Sequence, residues 1–113
     1  THSPGMRDLT SCPSARMAGE HAGAHKGGVD VAELYAPFSH QELLLKRELG
    51  LGESVDVNPS GGAMAAHTFM VAGLARIGEA AARVHDGSAG RVLAHATAGP
   101  CLQQNLVCVL EAA

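Results

Sequence analysis

A chain of 113 residues is long enough for one modest hydrophobic core and too short for two. Its 46% apolar content is weighted to alanine, with 14 Gly, two Phe, one Tyr and no Trp, which suits close-packed helix–sheet layers more than a fold built on bulky anchors. A formal charge of −3 with no Lys/Arg cluster gives no support to nucleic-acid binding. The longest uncharged run, Val57 to Ala75, holds Asn, Pro, Ser, His and paired Gly, which makes a poor membrane span. Three Cys without framework spacing, and no basic-then-apolar start, lead to the expectation of reduced thiols in a cytoplasmic protein.

Residues 1–12 carry Ser, Pro, Gly and Thr and read as a lead-in; the domain proper is expected over 13–113. Pro13 suits a first helical turn capped by Ser11 or Cys12, and the helix is predicted to run to about His25, before Gly27-Gly28. His21 and His25 then share a face, but no third ligand stands at a suitable spacing, so no metal site is expected. Val29–Tyr35 reads as a short strand. Ser39 and Glu42 have the spacing of a capping box, with Phe38 and Leu43 as its hydrophobic staple and a helix from Gln41 to Leu49. A long helix from Thr68 to His85 is predicted, with Met70, Leu74, Ile77, Ala81 and Val84 as its apolar stripe. Gly73 and Gly78 within it suggest a close neighbour, since each costs about 1 kcal/mol relative to Ala. Two strands, Arg91–Ala98 and Leu102–Glu111, complete the chain; the second is apolar on both faces and is predicted to be covered and central. The order of elements gives an α/β fold with helices packed on a mixed β-sheet.

The segment between strands and long helix, Val57-Asn58-Pro59-Ser60-Gly61-Gly62, is a turn whose paired glycines permit positive φ. His67 follows it at the predicted helix start. There a histidine is more often an ordinary surface residue or a satisfied core residue than part of a site facing free helix amides.

Three motifs together resemble the C-terminal half of the thiolase superfamily, most closely its non-specific lipid-transfer or sterol-carrier-protein branch. Glu33-Leu34-Tyr35-Ala36-Pro37-Phe38-Ser39 is similar to the family's Asn-Glu-Ala-Phe or His-Asp-Cys-Phe segment. Asn58-Pro59-Ser60-Gly61-Gly62 with His67 is similar to its Asn-x-x-Gly-Gly loop and Gly-His-Pro. Gly99-Pro100-Cys101 stands in the place of Cys-x-Gly before the last strand. The resemblance runs from the Cys12–Ala24 helix to Glu111 and implies a thiolase-like half-domain.

The resemblance implies a thiolase-like acyltransferase whose substrate is an acyl-coenzyme A thioester of lipid or sterol origin, with no permanently bound cofactor. It makes His67 and Tyr35 catalytic and Cys101 the candidate acid/base. Asn58, Gly61, Gly62 and Gly99 would shape the substrate loops. The departures matter: Ala66-His67-Thr68 lacks the flanking Gly and Pro, and the loop is one residue short. Tyr35 replaces the residue that orders the oxyanion water, as in thiolase-like aldolases that cleave β-hydroxyacyl thioesters without an acyl-cysteine. Anchoring on the last strand puts Gly99, not Cys101, in the acid/base position. Nothing corresponds to the N-terminal half that supplies the nucleophilic Cys. The expectation is therefore a fragment of a longer chain, a homo-oligomer, or one half of a two-chain enzyme. A non-catalytic lipid-binding or assembly module is the alternative, and the reactivity of Cys101 toward iodoacetamide separates the two.

Overall fold

The computed structural model describes residues 8–99 and 102–113. Helix α1 (Pro13–His21) precedes strand β1 (Val31–Leu34), helix α2 (Ser39–Glu48) and strand β2 (Asp56–Val57). The short helix α3 (Gly62–Ala65), helix α4 (Ala72–His85) and strands β3 (Arg91–Ala98) and β4 (Gln104–Glu111) follow. The sheet runs β2-β1-β3-β4, with β2, β1 and β3 parallel and β4 antiparallel to β3. Among the described residues no helix is long and apolar enough to cross a membrane.

Strand alternation sends neighbouring residues to opposite faces of the sheet. Ala32, Leu34 and Leu93 pack with Cys12, Ala15 and Leu45 of α1 and α2, while Val31, Val92 and Ala94 pack with Ala80 of α4. The fold is thus α/β with helices on both faces of a mixed sheet. Gly73 explains how closely α4 lies on the sheet: a Cβ there would stand 2.6 Å from that of Ala96. Gly78 has no such neighbour.

Several boundaries differ from the sequence reading. The first helix ends at His21, because Gly23 turns left-handed (φ 71°), and His25 belongs to a separate 3₁₀ turn, Ala24–Lys26. Cys12, one of the two expected caps, is the N-cap of α1, but it makes no side-chain cap bond and, instead of belonging to a loose lead-in, lies wholly in the core. The capping box does not form: Phe38 is the N-cap of α2 with no side-chain cap bond, and Glu42 instead accepts a hydrogen bond from Asn58. Phe38 and Leu43 stay 59% and 70% exposed, so they make no staple.

The long helix begins at Ala72, behind a 3₁₀ turn, Phe69–Val71, in which Phe69 itself has φ 47°. Its inner face is Ala72, Arg76 and Ala80, flanked by Ile77 and Val84, whereas Met70 and Leu74 are 98% and 69% exposed. The last strand is an edge of the sheet, not its centre. Its two apolar faces arise because Val107 and Val109 pack into the core on the α1 side, and Cys108 and Leu110 into that under α4.

Candidate functional site

The described residues of each of the three motifs lie at the carboxyl end of a parallel strand, the edge of an open α/β sheet where ligands generally bind. Tyr35 follows β1, Asn58 follows β2 and Gly99 follows β3. Tyr35 is held by its own N–H, which donates to the His95 carbonyl of β3 at 3.2 Å. Its hydroxyl lies 2.8 Å from His67 Nε2. His67 sits between α3 and the 3₁₀ turn, not at a helix start, and the ring of Phe69 meets its imidazole edge-on with centroids 4.5 Å apart. The fold therefore brings together two of the three predicted catalytic residues from 32 positions apart.

A cavity of about 810 Å³ opens beside them. Tyr35 lines it together with Phe38, with Gln41 and Leu44 of α2, with Phe69 and Met70, and with Thr97, Ala98 and Gly99 at the end of β3; Leu9 and Leu102 close it. The lining is mostly apolar, with Tyr35, Gln41, His40 and Thr97 as its polar side chains. That composition suits an apolar body carrying one oxygen function. Gly99 belongs to the wall in a left-handed conformation, φ 79°, where a Cβ would stand 2.7 Å from Gln103 Oε1. Cys101 lies outside the described residues.

Asn58, Gly61 and Gly62 line no part of this cavity; they hold the loop behind it. Asn58 is buried at φ 53° and makes three hydrogen bonds to two elements, β1 and α2. Its Oδ1 accepts from the Leu34 N–H at 2.6 Å, its Nδ2 donates to Glu42 at 2.6 Å, and its own N–H donates to the Ala32 carbonyl. Gly61 has φ 86° and would place a Cβ 2.6 Å from that of Ala65.

The sequence reading missed a buried ionic cluster under the same loop. Glu33, with no exposed surface, accepts from the Ser60 hydroxyl at 2.6 Å and forms ion pairs with Arg76 at 3.2 Å and Arg83 at 3.4 Å. Arg76 also donates to Ser60 Oγ at 2.9 Å. Two signals were available: a single acid inside an apolar strand, and two arginines seven apart on one helix face. Also missed was His95, wholly buried in β3, with Nε2 2.8 Å from Asn105 Oδ1. Burial drives its pKa down to about 4, against the opposing Asn105 hydrogen bond. Its Nδ1 has no partner among the described residues, so the ring is neutral and structural.

Neither described cysteine is poised for nucleophilic attack. Cys12 is wholly buried, and burial pushes the Cys108 thiol up. What the site offers is proton chemistry. When His67 Nε2 is unprotonated, the Tyr35 hydroxyl donates to it, leaving the phenol oxygen free to take a proton from a bound hydroxyl while passing its own to the imidazole. In the other tautomer Nε2–H donates to Tyr35, whose hydroxyl proton then points at a substrate oxygen. Comparisons of the chain with protein-family models, curated proteins and solved structures gave no match.

Proposed function

We propose that this chain is the C-terminal half of a thiolase-like enzyme acting on acyl-coenzyme A thioesters of lipid or sterol origin, in the cytoplasm. The observation that carries the reading is the 2.8 Å hydrogen bond between Tyr35 and His67 beside an apolar cavity. Those two residues come from two of the three motifs to which the resemblance assigns catalytic residues.

Of the two chemistries in view, retro-aldol cleavage asks least of groups outside the chain. The β-hydroxyl of the substrate gives its proton to Tyr35 as the phenol proton passes to His67 Nε2. The Cα–Cβ bond breaks, a carbonyl forms at Cβ, and the electron pair moves into the thioester enolate. The proton held on His67 returns through Tyr35 to the enolate carbon, which restores both groups and releases the shortened acyl-coenzyme A. Acyl transfer or thiolysis would need a nucleophilic cysteine from a complementary N-terminal half.

The test is turnover of β-hydroxyacyl- and β-ketoacyl-coenzyme A by the native assembly. Tyr35→Phe and His67→Ala are each expected to lower kcat by about 10²–10³-fold, the cost of losing a general base or the group that takes up its proton. Full activity of both variants on every thioester would overturn the assignment. The burial of Cys12 and the raised Cys108 thiol favour a second reading, a thiolase-fold module that binds lipid thioesters without turning them over. Saturable binding with no turnover in the same assay would select it.

A further inference from the structure

Strand β4 leaves one edge of the sheet unpaired among the described residues. Such edges are ordinarily guarded by Lys, Pro or a bulge, yet residues 105–110, Asn-Leu-Val-Cys-Val-Leu, contain no charge and no Pro. The central five read the same in both directions about Cys108: Leu106-Val107-Cys108-Val109-Leu110.

The phase of the ladder determines which backbone groups are free. The Ala112 N–H donates to the Gly90 carbonyl, in continuation of the Arg91–Glu111 pairing. Arg91 and His95 spend their carbonyls on Asp30 and Tyr35, on the β1 side. Bonded and non-bonded pairs alternate along an antiparallel ladder, so the even-numbered residues of β4 bond to β3. Asn105, Val107, Val109 and Glu111 consequently turn N–H and C=O outward.

We propose that a second copy of this chain pairs antiparallel along β4, on a two-fold axis through Cys108. This inference is independent of the enzymatic reading. In that register Val107 meets the partner's Val109 and Asn105 meets the partner's Glu111, so all the outward backbone groups find partners. Leu106, 52% exposed in the single chain, comes opposite the partner's Leu110. The contact is isologous, each strand being its own complement, so it closes as a dimer and does not propagate. The two Cys108 form a non-hydrogen-bonded pair with Cα atoms about 4.5 Å apart, within disulfide range.

The experiment is sedimentation velocity of the chain under reducing conditions from micromolar to submillimolar concentration, combined with mild oxidation at alkaline pH, where the raised Cys108 thiol ionises. A dimer is expected. Oxidation should trap it through a Cys108–Cys108 bond identified by peptide mapping, and Cys108→Ser should abolish the trap while keeping the reduced dimer. Val107→Pro removes an outward N–H that bonds nothing in the single chain, and it should return the protein to monomer with its circular dichroism retained. Leu106→Lys, at an exposed position, should weaken the dimer more than about tenfold by charging the edge, and it stands in if Val107→Pro fails to fold. A monomer throughout the concentration range would overturn the proposal. So would a dimer unaffected by both edge variants, or cross-links that never include Cys108.

Discussion

A phenol oxygen 2.8 Å from an imidazole nitrogen is a proton path, and its two ends have different surroundings. Tyr35 lines the apolar cavity; His67 stands outside it among exposed residues, within reach of bulk protons. In the proposed reaction that polarity would give Tyr35 the contact with substrate and His67 the exchange with solvent. The other notable histidine behaves oppositely. His95 is neutral in the folded protein because its pKa lies near 4, well below the value of about 6.5 expected in the unfolded chain. Between those values the unfolded state binds a proton that the folded state refuses, so stability falls as pH drops through that window and levels off below it. The loss is about 3 kcal/mol, readable as a drop in urea midpoint between neutral pH and pH 4, and His95→Gln should remove that component. The Glu48 carboxyl adds a separate loss at lower pH. Burial pushes it up, but hydrogen bonds from Arg16, the Cys12 N–H and Arg47 outweigh burial and hold it below the ordinary range, so its contribution vanishes only as pH falls through that lowered value.

At the scale of elements, the Asn58–Gly62 loop is fixed from two sides: Asn58 joins it to β1 and α2, and Ser60 joins it to Glu33 and through Arg76 to α4. The position of His67, five residues beyond Gly62, depends on that anchorage. Removing one member of a buried ion pair leaves an uncompensated charge. Arg76→Met is therefore expected to destabilise the fold by about 3–5 kcal/mol, and Glu33→Leu in the same chain to recover part of it. Urea unfolding of the two single variants and the double measures the coupling; strictly additive losses would mean that Glu33 and Arg76 act separately.

At the scale of the molecule, what the sequence made legible depended on whether local patterns also governed packing. Strand β3 was read residue for residue, because the run from Arg91 to Ala98 sits between Gly90 and Gly99 and nothing local competes with it. The inner face of α4 was legible only in part: Ile77 and Val84 of the expected stripe do pack toward the sheet. The bulky stripe of Met70 and Leu74 points outward, while small Ala72, Gly73 and Ala80 lie against the sheet and Arg76 and Arg83 reach Glu33. Hydrophobicity alone ranks Leu above Ala, and only the contact between Gly73 and Ala96 shows why the smaller residues face inward. The apolar residues on both faces of β4 point to a central strand, yet helices on both sides of a sheet cover an edge strand just as they cover a central one. Tyr35 and His67 stand out in their motifs only as candidates, whereas their hydrogen bond and the ionic cluster behind it depend on contacts between distant segments.

The most direct test of the central claim is a nuclear magnetic resonance titration of the imidazole signals of the chain with a β-hydroxyacyl-coenzyme A. If the Tyr35–His67 pair reads the substrate oxygen, the His67 signals shift saturably, those of buried His95 stay in place, and Tyr35→Phe abolishes the His67 response. A saturating ligand that leaves His67 unmoved, or moves it equally in Tyr35→Phe, would contradict the account.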